Sequence, residues 1–306
     1  MSQRASLFWY GFSPVFFLGT TLGIICLLSL QNIYSFFAVP LILSLHHGCH
    51  ETVHGVLVPK TWPRHKQLNF ILGCLGYAVV GHNYLLLRWS HSYHHLCGRL
   101  HASCTIDMTE SHQGLAGKIQ YYLSLCGWGA VFHEIAGYIF PILPKTSAWL
   151  GHWFRRGNYR NKRFLCCQLF TFLTTVFLFY IGGYYFLFCR LLFLPLWGIG
   201  QNVSHYALPV GSEALTEFAS RTYRVNPVVN FLFYGYTFYH YEHHVLPKVP
   251  GLLLGSSSVK ERIKLKVGFN ASPKFGLVSY LKDALRQFCG PYPKVDENWS
   301  TQILEN

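Results

Sequence analysis

The 306-residue sequence is poor in charge: 12% of its residues are Asp, Glu, Lys or Arg, whereas 51% are hydrophobic and 17% are aromatic. Soluble domains carry about 25% charged residues, so the composition argues against a typical soluble domain and against a disordered chain. The mean hydropathy is also positive, at +0.23. The composition therefore indicates an integral membrane protein.

The sequence also lacks the short motifs of several cofactor-binding classes. Its 10 cysteines include no Cys-x2-Cys pair, which argues against a zinc ribbon or a dithiol redox site. We interpret these cysteines as free thiols in a reducing compartment. A glycine-rich dinucleotide-binding motif is absent as well, so no flavin or nicotinamide domain is expected.

Long stretches of the chain have almost no charge, although the formal net charge is +13. No Lys or Arg lies between Ala5 and Val58, and Arg190 is the only charged residue between Phe164 and Ser212. The basic residues flank these apolar stretches and form no motif of a nucleic-acid reader. We therefore expect a positive surface that faces a membrane, and no nucleic-acid partner.

The apolar stretches predict an all-α fold with four transmembrane helices in two hairpins, because a bilayer core needs about 20 apolar residues per helix. One double-length stretch breaks at Gln31-Asn32, the other near Gly182-Gly183. The expected spans are about 7–29, 33–55, 164–182 and 184–205. Two shorter stretches, 68–87 and 119–143, predict interfacial or re-entrant helices.

The turns within both hairpins lack Lys and Arg, so the positive-inside rule predicts that both chain termini lie on the cytoplasmic side. Residues 59–163 and 206–306 would form a cytoplasmic cap, within a single membrane domain over 1–306. Arg190 falls inside the fourth predicted span. It is expected either to reach the far interface or to face the interior of the helix bundle.

Most of the 17 histidines fall into tight groups at the predicted cytoplasmic ends of the spans. On a helix, residues three or four apart share a face and can converge on one metal ion. Buried imidazoles without partners are costly near lipid, so this clustering predicts metal binding. The candidate ligands are His50, His54, His91, His94, His95, His205, His240, His243 and His244.

Nine imidazoles exceed the four positions of a tetrahedral zinc but suit two octahedral ions with open positions. Such nitrogen-rich sites favour iron and dioxygen, although zinc hydrolysis stays open. Some acids near the groups are candidates to orient the imidazoles through their second nitrogen: Glu51, Asp107, Glu110 and Glu242. Other histidines are expected outside the ligand set: His46, His47, His82, His101, His112, His133 and His152.

Three of the groups, His50-x3-His54, His91-x2-His94-His95 and His240-x2-His243-His244, resemble in order and spacing the three histidine boxes of the integral-membrane fatty acid desaturase superfamily. The likeness covers about residues 35–255. It includes the segment from Leu68 to Gly76 after the first box, and the residues Arg221-Thr222-Tyr223 before the third.

The resemblance implies a cytosol-facing non-haem diiron site with O2 as co-substrate and the nine histidines as ligands. His205 would be the ligand outside the boxes. The resemblance also implies that Gln201 or Asn202 holds a water beside the iron, and the spacing does not choose between them.

The leading expectation is a fatty acyl desaturase that introduces a carbon-carbon double bond. A carotenoid ketolase or hydroxylase is the alternative, because the stretch from His54 to Pro59 is similar to the first-box region of carotenoid ketolases. Acyl hydroxylase and acetylenase use the same kind of site. A non-catalytic membrane protein that binds metal or haem is the hypothesis from a different class.

Electrons are expected from an external donor, because the sequence has no His-Pro-Gly-Gly stretch of a fused cytochrome b5 domain. The expected donors are ferredoxin, or cytochrome b5 with its reductase. A basic cytoplasmic face would suit either acidic protein. The other expected partners are the membrane and a lipid or acyl-carrier substrate.

Overall fold

The computed structural model describes residues 3–97, 114–139, 141–142, 161–208, 220–235, 237–268 and 273–290. Within these residues the fold is mostly helical, as predicted. The helices are α1 (Gln3–Ser29), α2 (Ala38–Val53), α3 (His65–Val80), α4 (Tyr84–Cys97), α5 (Gly114–Leu125), α6 (Trp128–Ile139), α7 (Lys162–Asn202), α8 (Pro227–Leu232), α9 (His240–Val245), α10 (Ser257–Val267) and α11 (Gly276–Arg286).

The chain divides into two compact units. Unit one comprises residues 1–13, 94–126 and 198–306, and unit two comprises 14–93 and 127–197. Several helices continue from one unit into the other, so the division follows the packing of residues rather than the ends of helices. Each unit is described separately below.

Among the described residues, two helices are long and apolar enough to cross a membrane: Tyr10–Ser29 of α1 and all of α7. A third span results if α3 and residues Tyr84–Ser92 of α4, which bend by 103° at their junction, count as one. The predicted span at 33–55 contains a 3-10 turn and the 16-residue helix α2, and is not among these candidates. The four-span topology is not confirmed and stays a prediction.

Helix α7 is interrupted at Gly183, which has φ 52° and ψ −134°. Forty-one helical residues would extend about 60 Å, twice the thickness of a bilayer core. In unit two, the Gln31 side chain beyond the end of α1 donates a hydrogen bond to the Ile181 carbonyl (2.8 Å). The two breaks that the sequence indicated therefore lie side by side.

Helices α2 and α3 of unit two pack closely through two glycines of α3. A Cβ at Gly73 would lie 2.6 Å from Thr52 Oγ1, and one at Gly76 would lie 2.4 Å from Cys49 Sγ. Small residues at helix contacts allow the backbones of membrane helices to approach one another. This contact positions α2, which carries the first histidine group.

Arg190 of α7 faces the interior of unit two, which decides between the two expectations for this residue. Its guanidinium forms an ion pair with the carboxylate of Glu134 on α6. It also donates a hydrogen bond to the Val80 carbonyl at the end of α3. Charged groups inside membrane helix bundles are costly unless paired, and these partners satisfy that requirement.

Unit one contains a short parallel sheet that the sequence did not predict, formed by β1 (Thr222–Arg224) and β2 (Pro273–Phe275). Strands of three residues leave no hydrophobic periodicity to detect. Behind α9 lies an apolar core of Leu208, Tyr241, Val245, Leu254, Val259 and Ile263. This core and the sheet hold α9, with the third histidine group, in place.

Candidate metal centre

In unit one, four histidines from three chain segments form a compact group. His94 lies near the end of α4, His205 in the turn after α7, and His240 and His244 on α9. One nitrogen from each side chain lies within 4.8 Å of the others. The Nε2 atoms approach closely: His205 to His240 at 2.9 Å, His240 to His244 at 3.1 Å and His94 to His244 at 3.2 Å.

Hydrogen bonding alone does not account for this arrangement. An imidazole nitrogen offers either one N–H or one lone pair, yet His244 Nε2 faces both His94 and His240. Burial and the neighbouring imidazoles lower the pKa of His244 well below its usual value. The ring therefore stays neutral, which is the form that binds a metal ion.

The four imidazoles lie close enough together to hold one metal ion, because one nitrogen of each lies within 4.8 Å of the others.

The same unit contains a second imidazole pair, in which His95 Nε2 lies 3.1 Å from His243 Nε2. His243 is completely buried and His95 is half-buried. His94 and His95 are adjacent on α4, and His243 and His244 are adjacent on α9. The His-x2-His-His spacing therefore gives each helix a ligand for the four-histidine group and one for this pair.

Unit two holds the remaining three predicted ligands. His50 lies in the last turn of α2, His54 caps its end and His91 lies on α4. The Nε2 atom of His91 is 2.8 Å from that of His50 and 2.8 Å from that of His54. As at His244, one nitrogen faces two others, so this trio also fits a shared cation better than a set of hydrogen bonds.

Strand β1 and the residue before it, Arg221, connect the two segments that carry His205 and the third group. The Arg221 amide donates to the Ser204 carbonyl (2.8 Å), and the Tyr223 amide donates to the Phe238 carbonyl (2.6 Å). The Thr222 hydroxyl donates to the Glu242 carboxylate (2.6 Å). Thr222 is thus a positioning residue; the sequence indicated the Arg221-Thr222-Tyr223 segment only as part of the resemblance and gave no role for this hydroxyl.

Of the four acids that the sequence indicated, Glu51 and Glu242 lie within the described residues. Burial raises the pKa of Glu242 to about 7, and its bond from Thr222 opposes that shift. Glu51 is buried, with its carboxylate 3.9 Å from His50 Nδ1, which is beyond hydrogen-bond distance. Asp107 and Glu110 lie outside the described residues, and so do His101, His112 and His152.

The histidines expected outside the ligand set have other surroundings. Trp197 donates a hydrogen bond to His46 Nε2 (2.8 Å), and His47 Nδ1 bonds to the Leu43 carbonyl (2.5 Å). His82 is fully buried, with Nδ1 3.9 Å from Glu134. The side chain of His133 is not among those described.

The structure does not choose between Gln201 and Asn202 as a water-binding residue. The Asn202 side chain donates to the Gly198 carbonyl one turn earlier in α7 (2.9 Å). Its backbone carbonyl accepts from the His205 amide (3.0 Å). Asn202 thus shapes the turn that carries His205.

Comparison with known proteins agrees with the chemistry of these imidazole groups. The model of the fatty acid desaturase family matches residues 29–255, which include all nine histidines. Comparisons with curated proteins and with solved structures give no match. The match covers well over half of the chain, and the apolar helices of the chain fit a membrane enzyme. The chain therefore belongs to the fatty acid desaturase family.

Proposed function

We propose that the protein is a membrane-bound, O2-dependent diiron oxidoreductase that introduces a double bond into a fatty acyl chain. The observation that carries the proposal is the convergence of imidazole nitrogens in each unit, in a chain of this family. In particular, His244 and His91 each face two other Nε2 atoms. Such convergence supports a shared cation in both places.

We propose two iron ions held by the nine histidines. One ion takes the four-histidine group of His94, His205, His240 and His244. The remaining proposed ligands are the trio of His50, His54 and His91 in unit two and the pair of His95 and His243 in unit one. Bound iron and O2 supply the oxidising chemistry that removes hydrogen from an unactivated C–H bond.

The residues of the chain hold this site and limit its contact with water. His205, His243 and His244 are at most 4% exposed, and the apolar core behind α9 includes Tyr241 and Val245. An oxidising site needs such protection because water and stray protons promote side reactions. Ligands on helices α2, α4 and α9 would hold the ions in a fixed arrangement.

The overall reaction balances with an external donor. The substrate methylenes lose two hydrogens, and O2 takes these together with two electrons and two protons to give two waters. The donor we propose is ferredoxin, or cytochrome b5 with its reductase. Both are acidic proteins, and we propose that they dock on a basic cytoplasmic face that also carries the site. Turnover should then fall steeply as ionic strength rises, and a flat salt response would reject this docking.

The deciding experiment is mass spectrometry of fatty acids and pigments from a carotenoid-producing host. The host expresses the wild type, His94→Ala, or the control His65→Ala, which removes a half-buried histidine outside both groups. We expect an acyl species about 2 mass units lighter with the wild type and the control, since desaturation removes two hydrogens. His94→Ala should lack it.

Other products would change the reaction. A heavier oxygenated acyl chain would indicate a hydroxylase, a triple bond an acetylenase, and an oxygenated carotenoid a ketolase or hydroxylase. If His94→Ala leaves the product unchanged at equal expression, the proposed iron site is wrong. If the wild type binds metal but forms no product with any donor, a non-catalytic metal-binding protein becomes the better explanation.

A further inference from the structure

Helix α11 has an exposed apolar side. Its residues Leu277, Val278, Leu281 and Leu285 follow helical spacing on one face, and Phe288 continues that face in the next turn. These five side chains are between 41% and 67% exposed. The opposite face holds the buried residues Asp283, Ala284 and Gln287. One face of the helix therefore packs on the protein, and the opposite face exposes apolar side chains.

The buried face fastens α11 to the end of α7. The Gln287 side chain donates to the Ile199 carbonyl (3.1 Å), and Tyr206 donates to the Arg286 carbonyl (2.6 Å). Ile199 lies in the last turn of α7, one of the two helices apolar enough to cross a membrane. Helix α11 therefore lies beside the end of an apolar helix, with its apolar face exposed.

Helix α5 packs beside the turn that follows α11 and has exposed apolar residues of its own. Tyr121 on its buried side donates to the Gln287 carbonyl (2.6 Å) and packs with Leu125 and Tyr206. On its outer side four large residues are between 42% and 76% exposed: Leu115, Ile119, Tyr122 and Leu123. Two neighbouring helices of unit one therefore expose apolar side chains.

The exposed charges on both helices are positive. They are Lys118 on α5, and Lys282 and Arg286 on α11. The single acid of the two helices, Asp283, is buried and accepts hydrogen bonds from Tyr223 (2.8 Å) and Lys274 (2.9 Å). An apolar face bordered by Lys and Arg is typical of a helix that lies in the interface of an anionic membrane.

We propose that α5 and α11 lie in the bilayer interface, with their apolar residues at the acyl boundary and Lys118, Lys282 and Arg286 on anionic phospholipid headgroups. The link to the end of α7 and the one-signed charge favour a lipid surface over a second copy of the chain, whose equally basic face would repel it. This attachment is independent of the reaction that the histidines perform.

The test uses the full-length protein in vesicles of phosphatidylcholine, with or without phosphatidylserine. A photoreactive phenylalanine replaces Leu281, and in a control it replaces Leu265 on α10, which is 86% exposed between two lysines. We expect lipid adducts at position 281 and few at 265. Adducts to a second protein copy at 281, or equal labelling at both positions, would overturn the proposal.

The charges are tested with the same probe at position 281. Phosphatidylserine should increase the lipid adducts, by about fivefold for each basic residue at the surface. Lys118→Glu with Lys282→Glu should abolish that increase, and this pair leaves the Arg286–Asp283 ion pair (3.7 Å) intact. The control pair Arg262→Glu and Lys264→Glu, exposed on α10, should keep it. If both pairs behave alike while both variants retain wild-type iron content, the assigned surface is wrong.

Discussion

Arg190 and Glu134 form an ion pair inside unit two, between α7 and α6. The same guanidinium bonds to Val80, immediately before the bend that separates α3 from α4. Gly81 follows with φ 96°, and a Cβ there would collide with the guanidinium. One side chain thus fixes the bend that precedes α4 and its histidines.

Arg190→Met should destabilise the protein, because it leaves the Glu134 carboxylate without its cation in an apolar bundle. Breaking a buried pair by removing one partner costs about 3 kcal/mol. The double variant Arg190→Met with Glu134→Gln removes both charges and should recover much of that loss. Unfolding in detergent, followed by temperature or denaturant, measures the difference. The control Leu192→Met, at an exposed position of α7, should change the stability little. A double variant that is no more stable than Arg190→Met would contradict the pairing.

Iron content tests the four-histidine group. We expect His244→Ala to hold about one iron per chain fewer than the wild type, since His244 contacts two other ligands. Elemental analysis of purified protein gives the number, and His65→Ala serves as the control. Chelation of the wild type should lower its melting temperature, because bound metal stabilises the folded state. Unchanged iron in His244→Ala would contradict the assignment.

Cys74 of α3 and Cys167 of α7 test the packing of unit two, because their sulfur atoms lie 3.6 Å apart. A mild oxidant that removes two electrons and two protons should join them as a disulfide. Peptide mass spectrometry would then find the linked fragments in the wild type and in Cys166→Ser, whose side chain is exposed, and not in Cys167→Ser. A link that depends on Cys166 would contradict the placement of α7.

A substitution at Gly235 tests the close contact in the turn that leads to α9. Its φ is 79°, and a Cβ would lie 2.4 Å from the Gly251 carbonyl carbon and oxygen. Gly268 has a similar φ of 84° with nothing within 4 Å. Gly268→Ala should cost about 1 kcal/mol from backbone strain alone. Gly235→Ala should cost clearly more and reduce bound iron, and equal effects on stability would show that the close contact is absent.

The sequence predicted the helical class and the family because both leave repeated local signals: long apolar stretches and histidines at helical spacing. It also located the two breaks near Gln31 and Gly183, where polar or glycine residues interrupt apolar stretches. The grouping of the ligands could not be predicted. Spacing places His94 and His95 on one helix, but the tertiary fold decides which imidazoles each of them meets.

Other features could not be predicted from the sequence, because tertiary contacts determine them. The 103° bend after α3 depends on the tertiary contact of Arg190 with the Val80 carbonyl. Strand β1 is too short to show a period. The sequence analysis placed α11 in the predicted cytoplasmic cap at 206–306. Which of its sides packs on the protein depends on tertiary contacts such as the bond from Tyr223 to Asp283.

Strand β1 has a consequence for the local stability of the site. The amide of Arg221, the residue before β1, bonds to the turn of His205, and the amide of Tyr223 in β1 bonds to the segment before α9. Neither ligand segment can open without breaking a bond to the adjoining residues Arg221, Thr222 and Tyr223, so the two should open as a single cooperative unit. In hydrogen exchange, the amides of Arg221, Tyr223 and His243 should therefore share one opening free energy, and Thr222→Val should lower all three together.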